Sequence, residues 1–283
     1  MNYRHGFHAG NFADILKHVM LMRILTHLNA KDKPYRIIDT HAGAGRYDLS
    51  SDEALRTHEW RDGVARLDQS LLAPAVEELL APWRKAVAAA RTLYGADAYP
   101  GSPWLCRQAM RADDRLIAAE LHENTHRKLV QAIGSDSRCK ALAIDGWVAL
   151  GANVPPKERR GLVLIDPPFE EKDEFATLAG AFVAAWRKWP TGTYALWYPI
   201  KDRRAVDGLV SAISDAGIGR LLRLEIDVDR PEAAGGLGAT GLLVVNPPWL
   251  LAQEAEILLP ALCERLAQGP RPRYRCEAIR PDG

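Results

Sequence analysis

Asp166, Pro167, Pro168 and Phe169 follow the apolar run Leu162-Val163-Leu164-Ile165, and together they hold what the activation of an aromatic amine requires. Two prolines remove backbone donors and stiffen the turn, leaving carbonyl oxygens free as acceptors. The exocyclic amine of adenine is a weak nucleophile because its lone pair is delocalised into the ring. If the Asp166 carboxylate and the Pro167 carbonyl each accept one N–H, the nitrogen is drawn towards a pyramidal, nucleophilic geometry. With a positively charged sulfonium methyl held in line, transfer is then largely positioning and electrostatics. Asp166 can take up the proton as the methylated amine forms, and Phe169 offers an apolar face on which a flipped-out base stacks. A merely structural Pro-Pro turn is the alternative reading of the run.

A second run, Asn246-Pro247-Pro248-Trp249, has the same local pattern. It follows the last strand signal, which is expected to lie at a sheet edge far from a methyl donor, so it is read as a structural turn.

Three further strand ends carry suitable groups. Asp39-Thr40-His41-Ala42-Gly43-Ala44-Gly45 runs from a strand into glycines, which let a backbone approach a ligand that a Cβ would block. The turn lacks the third glycine of the dinucleotide fingerprint and the Lys-Ser/Thr pair of a triphosphate-binding loop. Glu120 ends the next strand signal, where a carboxylate accepts hydrogen bonds from ribose hydroxyls. Asp145-Gly146 ends a third, where a side chain and open backbone can read an adenine ring. Taken singly, each is an ordinary strand-end acid or turn; in this order they match the cofactor-binding edge of a class I methyltransferase.

These groups need a frame. Strand signals fall at residues 35–39, 115–120, 140–145, 161–166, 192–198, 220–226 and 241–246, mostly separated by helical patterns. About seven such runs predict an α/β, Rossmann-like doubly wound sheet with its ligand site outside the carboxyl ends of the strands. The interval after Gly45 is too long for one crossover helix, and residues 49–99 hold helical material: 71–80, then Pro82-Trp83 leading into 84–94. They are read as a small helical insertion within a single domain spanning 1–283. Arg56, Arg61, Arg66, Arg84, Lys85 and Arg91 on it suit either a phosphate-binding face or solvated helix surfaces.

The chain of 283 residues has 47% hydrophobic and 26% charged residues, as expected of a soluble globular protein, and a net charge of +1 neither supports nor excludes a nucleic-acid partner. No stretch approaches a membrane helix or a signal peptide. Cys106, Cys139, Cys263 and Cys276 show no paired spacing, so a reducing, cytoplasmic setting is expected. The segment Tyr3 to His18 is dense in polar groups before a helix capped near Asn11. Its histidines His5, His8 and His18 have no companion cysteine and no common ligand spacing, so no metal is expected.

With the stretches Tyr3–His18, Asp39–Tyr47, Tyr99–Pro103, Ile165–Phe169, Tyr194–Pro199 and Asn246–Trp249 in order, the chain resembles the bacterial 23S ribosomal RNA adenine-N6 methyltransferase J family along nearly its whole length. The resemblance implies a monomeric S-adenosylmethionine-dependent enzyme acting on one adenine of 23S ribosomal RNA, free or in an early assembly particle. It implies that His18, His41, Ser102, Glu120, Asp145 and Gly146 hold the cofactor. Asp166 would be catalytic and Tyr3 would meet the RNA, with His5 and Lys17 supporting the site. Phe169 stands where family members often have Tyr, a change that keeps stacking and removes a hydroxyl. Two rivals share these features: a DNA adenine-N6 methyltransferase, and a non-catalytic nucleic-acid-binding protein that would have no need of an intact Asp166-Pro167-Pro168.

Overall fold

The computed structural model describes residues 4–69, 71–171, 173–231 and 235–279. After a 3-10 turn at His5–Phe7 the chain forms α1 (Phe12–Asn29), β1 (Arg36–Asp39), β2 (Arg46–Asp48), α2 (Asp52–Thr57), a second 3-10 turn (Glu59–Asp62), α3 (Val64–Gln69), α4 (Pro74–Tyr94) and β3 (Ala98–Pro100). Next come α5 (Ser102–Ala109), β4 (Arg115–Ala119), α6 (Glu123–Ile133), β5 (Cys139–Leu142), α7 (Gly146–Asn153), β6 (Gly161–Ile165) and α8 (Glu174–Lys188). The last part is β7 (Thr193–Pro199), α9 (Arg203–Asp215), β8 (Leu221–Asp227), β9 (Ala239–Val245), α10 (Leu251–Arg265) and β10 (Arg273–Ile279).

The described residues build an eight-stranded sheet in the order β10-β8-β9-β7-β6-β1-β4-β5. The five strands from β7 to β5 pair in parallel, whereas β9, β8 and β10 join antiparallel. Alternation along the strands decides which layer each side chain enters. Ile37, Leu162 and Leu164 face a core shared with α1, α4, α5 and α10, while Ile38, Val163 and Ile165 face one shared with α8 and α9. Because both faces are covered, the parallel strands read as continuous apolar runs, as Gly161–Ile165 does.

Helix α1 is buried nearly all round. Asn11 caps it, its side chain accepting from the Asp14 N–H at 2.9 Å. The polar residues it carries inside, Asp14, Lys17, His18 and Arg23, are therefore all obliged to find partners. Arg23 finds Glu254 of α10 through two hydrogen bonds, of 2.9 and 2.6 Å, and His27 joins the same carboxylate at 3.0 Å.

Four features depart from the sequence-based expectation. The sheet gains the edge strand β10, in a Pro/Arg-rich stretch whose alternating charges hid it. The pairing of β5 stops at Leu142, so Asp145 caps α7 instead of ending a strand. Helix α4 runs unbroken through Pro82, although the sequence read as two helices there. The strand before Asn246 is not an edge: β9 lies between β7 and β8. Its antiparallel run, pairing Val245 with Tyr194 and Thr240 with Pro199, carries Asn246 to the opposite end of the sheet from Asp166. A structural turn is what stands there, with Asn246 Nδ2 donating to the Pro190 and Gly192 carbonyls at 2.8 and 2.7 Å.

Candidate active site

The parallel strands β1, β4 and β6 deliver Asp39, Glu120 and Asp166 to one edge, and the loop after β5 adds Asp145. A cavity of about 270 Å³ opens there. Its lining takes in His5, Lys17, His18, His41, Gly43, Ser102, Glu120, Asp145, Gly146, Asp166 and Pro167. Residues far apart in the chain thus share one concave site because the strand ends converge.

The walls are tied down from below. Ser102, the first residue of α5, donates to Asp39 Oδ2 at 2.7 Å, and Asp39 Oδ1 is buried with no partner. Burial pushes the Asp39 carboxyl up to about 7, against the Ser102 hydrogen bond. Asp145 Oδ1 accepts the N–H groups of Trp147 and Val148 at 2.9 and 3.0 Å, which fixes the start of α7. A Cβ on Gly146 would collide with the Thr40 carbonyl and the His41 ring, so glycine lets the start of α7 pack closely against them. Glu120 Oε1 accepts the His122 N–H at 2.7 Å, and burial raises its pKa. Burial also keeps two imidazoles neutral, pushing His41 down to about 4 and His18 to about 3. His41 is set by Thr40 Oγ1 at 2.8 Å and His18 by the Tyr99 hydroxyl at 2.9 Å.

An ionic chain crosses to the Asp166-Pro167-Pro168 turn. Lys17 Nζ lies 2.5 Å from Asp166 Oδ2 and 2.9 Å from Asp14 Oδ1, and His5 Nε2 lies 2.9 Å from Asp14 Oδ2. Burial opposes charge on both Lys17 and Asp14. Attraction wins, from Asp14 and then Asp166 on the lysine and from His5 and then Lys17 on the carboxylate, so Lys17 is held well above its ordinary value and Asp14 well below.

A second cavity, of about 320 Å³, lies on the far side of this chain. It shares His5, Lys17, Asp166 and Pro168 with the first and adds Phe169, Trp197, Pro199 and Lys201. Phe169 holds a left-handed backbone (φ 51°) and packs on Phe175 and Trp197, with ring centroids at 4.8 and 5.8 Å. Asp166 therefore stands at the wall common to a polar cavity and an aromatic one.

Most of the residues singled out from the sequence meet here, with three differences. Asp39 lies beneath the first cavity, touching it through Ser102. Gly45 (φ 72°) turns away, and a Cβ there would press on Ala132 and Leu129 of α6, so its smallness serves packing. Tyr3 lies outside the described residues. Asp14 was not singled out, although its spacing to Lys17 and His18 on one helix was a readable signal. Trp147 is a second addition: its ring stands edge-on to His41 at 5.0 Å and lines the cavity. Among the described residues, no group of three or more His, Cys, Asp or Glu side chains is placed to hold a metal. No described helix is long and apolar enough to cross a membrane.

Comparison with known proteins gives concordant matches. The family model described as "Ribosomal RNA large subunit methyltransferase D, RlmJ" matches residues 32–277. A protein of Escherichia coli K12 named "Ribosomal RNA large subunit methyltransferase J" is 39% identical over 267 residues, 94% of each chain. A protein of the same name from Haemophilus influenzae is 36% identical over 283 residues, all of each chain. A crystal structure of a Legionella pneumophila protein superposes with a TM-score of 0.85 at 29% identity, covering 96% of this chain and 98% of that one.

Proposed function

The chain belongs to the family of ribosomal RNA large subunit methyltransferases described as RlmJ, and from that premise we propose that it methylates the N6 amine of one adenine in 23S ribosomal RNA. The observation that carries the proposal is Asp166 in the wall shared by the two cavities, with Pro167 in the first and Phe169 in the second.

The first cavity is assigned to S-adenosylmethionine, which when bound supplies an electrophilic methyl on a sulfonium. Its residues fit that group: Asp145, Gly146 and Trp147 form one wall for a flat ring, Glu120 offers a carboxylate to ribose hydroxyls, and the buried Asp39 Oδ1 below is without a partner. His18, His41 and Ser102 complete the wall. Both imidazoles stay neutral in the physiological range, so neither repels a cationic donor.

The second cavity is assigned to the target adenine, turned out of its stack onto Phe169. Asp166 and the Pro167 carbonyl accept the two N–H groups of its amine, and Asp166 receives the proton lost on methylation. Among the described residues Lys17 supplies the hydrogen bond to Asp166, and it falls on Oδ2, so Oδ1 remains for the amine. Lys17 and His5 hold the carboxylate's surroundings in place, and Tyr3 is assigned to the RNA side.

Replacing Asp166 with Ala tests this directly. The reading requires an intact fold, donor affinity close to wild type, and loss of transfer; activity near wild type with unchanged donor affinity refutes the catalytic assignment.

A further inference from the structure

We propose that Asp14 is a positioning residue for methyl transfer: it draws the Lys17 ammonium to itself, so that one oxygen of Asp166 stays open to the target amine. The inference rests on the amine-methylation reading above. Lys17 Nζ sits between two carboxylates, 2.9 Å from Asp14 Oδ1 and 2.5 Å from Asp166 Oδ2. Its side chain is only 5% exposed, so the two carboxylates are its main partners. With Asp14 neutral, the ammonium would keep Asp166 as its one ion-pair partner among the described residues, and a buried cation collapses onto whatever charge it has. The oxygen that should accept the amine would then be engaged by lysine.

Asp14 is itself fixed. The Gly10 N–H donates to its Oδ2 at 3.0 Å, the Asn11 side chain holds its backbone N–H, and His5 Nε2 lies 2.9 Å from the same Oδ2. Gly10 is in turn held from the 49–99 segment, since its carbonyl accepts the Val64 N–H at 2.8 Å and a Cβ on Gly63 would collide with it. The helical segment thus braces the residue that apportions charge at Asp166. A buried carboxylate with no such task would be a costly choice beneath a helix start.

The test is steady-state methylation of a 23S RNA fragment by full-length Asp14→Asn, Asp14→Glu, Lys17→Met and the Asp14→Asn/Lys17→Met double variant. Donor affinity is measured beside each rate. Asp14→Asn is expected to lower kcat about 10- to 100-fold, the scale of a misplaced reacting group. KM for RNA and Kd for donor should stay within about threefold, because the group acts on the transition state. Asp14→Glu should recover part of the rate. In the Lys17→Met background the second substitution should cost less than about twofold, the two residues acting as one unit.

Losses that multiply independently, an unchanged kcat in Asp14→Asn, or an effect confined to KM or donor Kd would each overturn the proposal. Should Asp14→Asn fail to fold, the equally uncharged Asp14→Ser decides: a lowered kcat with unchanged KM supports the role, and a wild-type kcat removes it. Wild-type protein that transfers no methyl to adenine refutes the functional reading itself. Wild-type transfer matched by Asp14→Asn refutes only the positioning role.

Discussion

Asp166 and Asn246, each followed by two prolines, stand at opposite ends of the same sheet, because β9 runs antiparallel to β7 while β6 runs parallel to it. Local pattern makes the two turns equivalent; strand direction makes one a wall of the cavities and the other a brace. Asn246 holds φ at 51° and donates to two backbone carbonyls. Asn246→Ala is therefore expected to cost stability, about 1–3 kcal/mol from lost hydrogen bonds and a left-handed backbone. Denaturant unfolding reads that loss, and kcat of the folded enzyme should match wild type. A catalytic defect at full stability would return the second turn to the site.

Gly146 lines the first cavity where the start of α7 packs on Thr40 and His41. Gly146→Ala places a methyl against the Thr40 carbonyl and His41, an overpacking that costs about 1–3 kcal/mol of stability, and the displacement of His41 it forces should weaken donor Kd by calorimetry. Unaltered donor affinity would mean that the cofactor lies elsewhere.

Phe169 is assigned to stacking alone. Phe169→Tyr should keep kcat and KM near wild type, whereas Phe169→Ala should raise KM for RNA by about 1–3 kcal/mol of lost base–aromatic contact. Donor Kd should not move in either variant. An equal effect of both substitutions would show that the ring does not act as a stacking face.

The buried ionisable groups fix a pH signature. His18 and His41 titrate at about 3 and 4 in the fold, below the ordinary 6.5 of an unfolded histidine, because burial disfavours their charged forms. The unfolded chain protonates first, so the stability their neutral forms contribute is complete above 6.5 and is lost as pH falls through about 4 and 3. Asp39 runs the other way: its value of about 7, raised from 3.8 by burial, makes stability fall as pH rises between those limits. Thermal melts of Asp39→Asn should therefore exceed wild type above pH 7, with the gain vanishing near pH 4. Melts of His18→Gln should show a flatter acid limb than wild type. The opposite slopes would show that these groups are not titrating as buried ones.

Strands β1, β4 and β6 and their acidic ends were readable because both sheet faces are covered, which turns each of these three into an apolar run closed by a carboxylate. Gly161–Ile165 followed by Asp166 is the clearest case. What escaped sequence reasoning depends on pairing across distance. Strand β10 is an edge whose Arg273-Tyr274-Arg275 looks polar until β8 supplies its partner. The position of β9 within the sheet is a matter of strand order, which no local signal encodes. Asp14 looked like an ordinary first-turn acid of a capped helix, and its link through Lys17 to Asp166 spans a chain separation of 149 residues between the lysine and the aspartate. Gly45 carried the sequence signature of ligand approach and is explained instead by the neighbouring α6.

The central claim is that Asp166 activates an RNA adenine amine held beside a bound methyl donor. Its most direct test is methyl transfer from labelled S-adenosylmethionine to unmodified 23S RNA, protein-free and in assembly particles, with matched DNA alongside and the product nucleoside identified by mass. N6-methyladenosine formed on RNA and not on DNA, and absent with Asp166→Ala, is the predicted result. Methylated DNA with silent RNA would contradict the substrate assignment, and transfer undiminished in Asp166→Ala would contradict the mechanism.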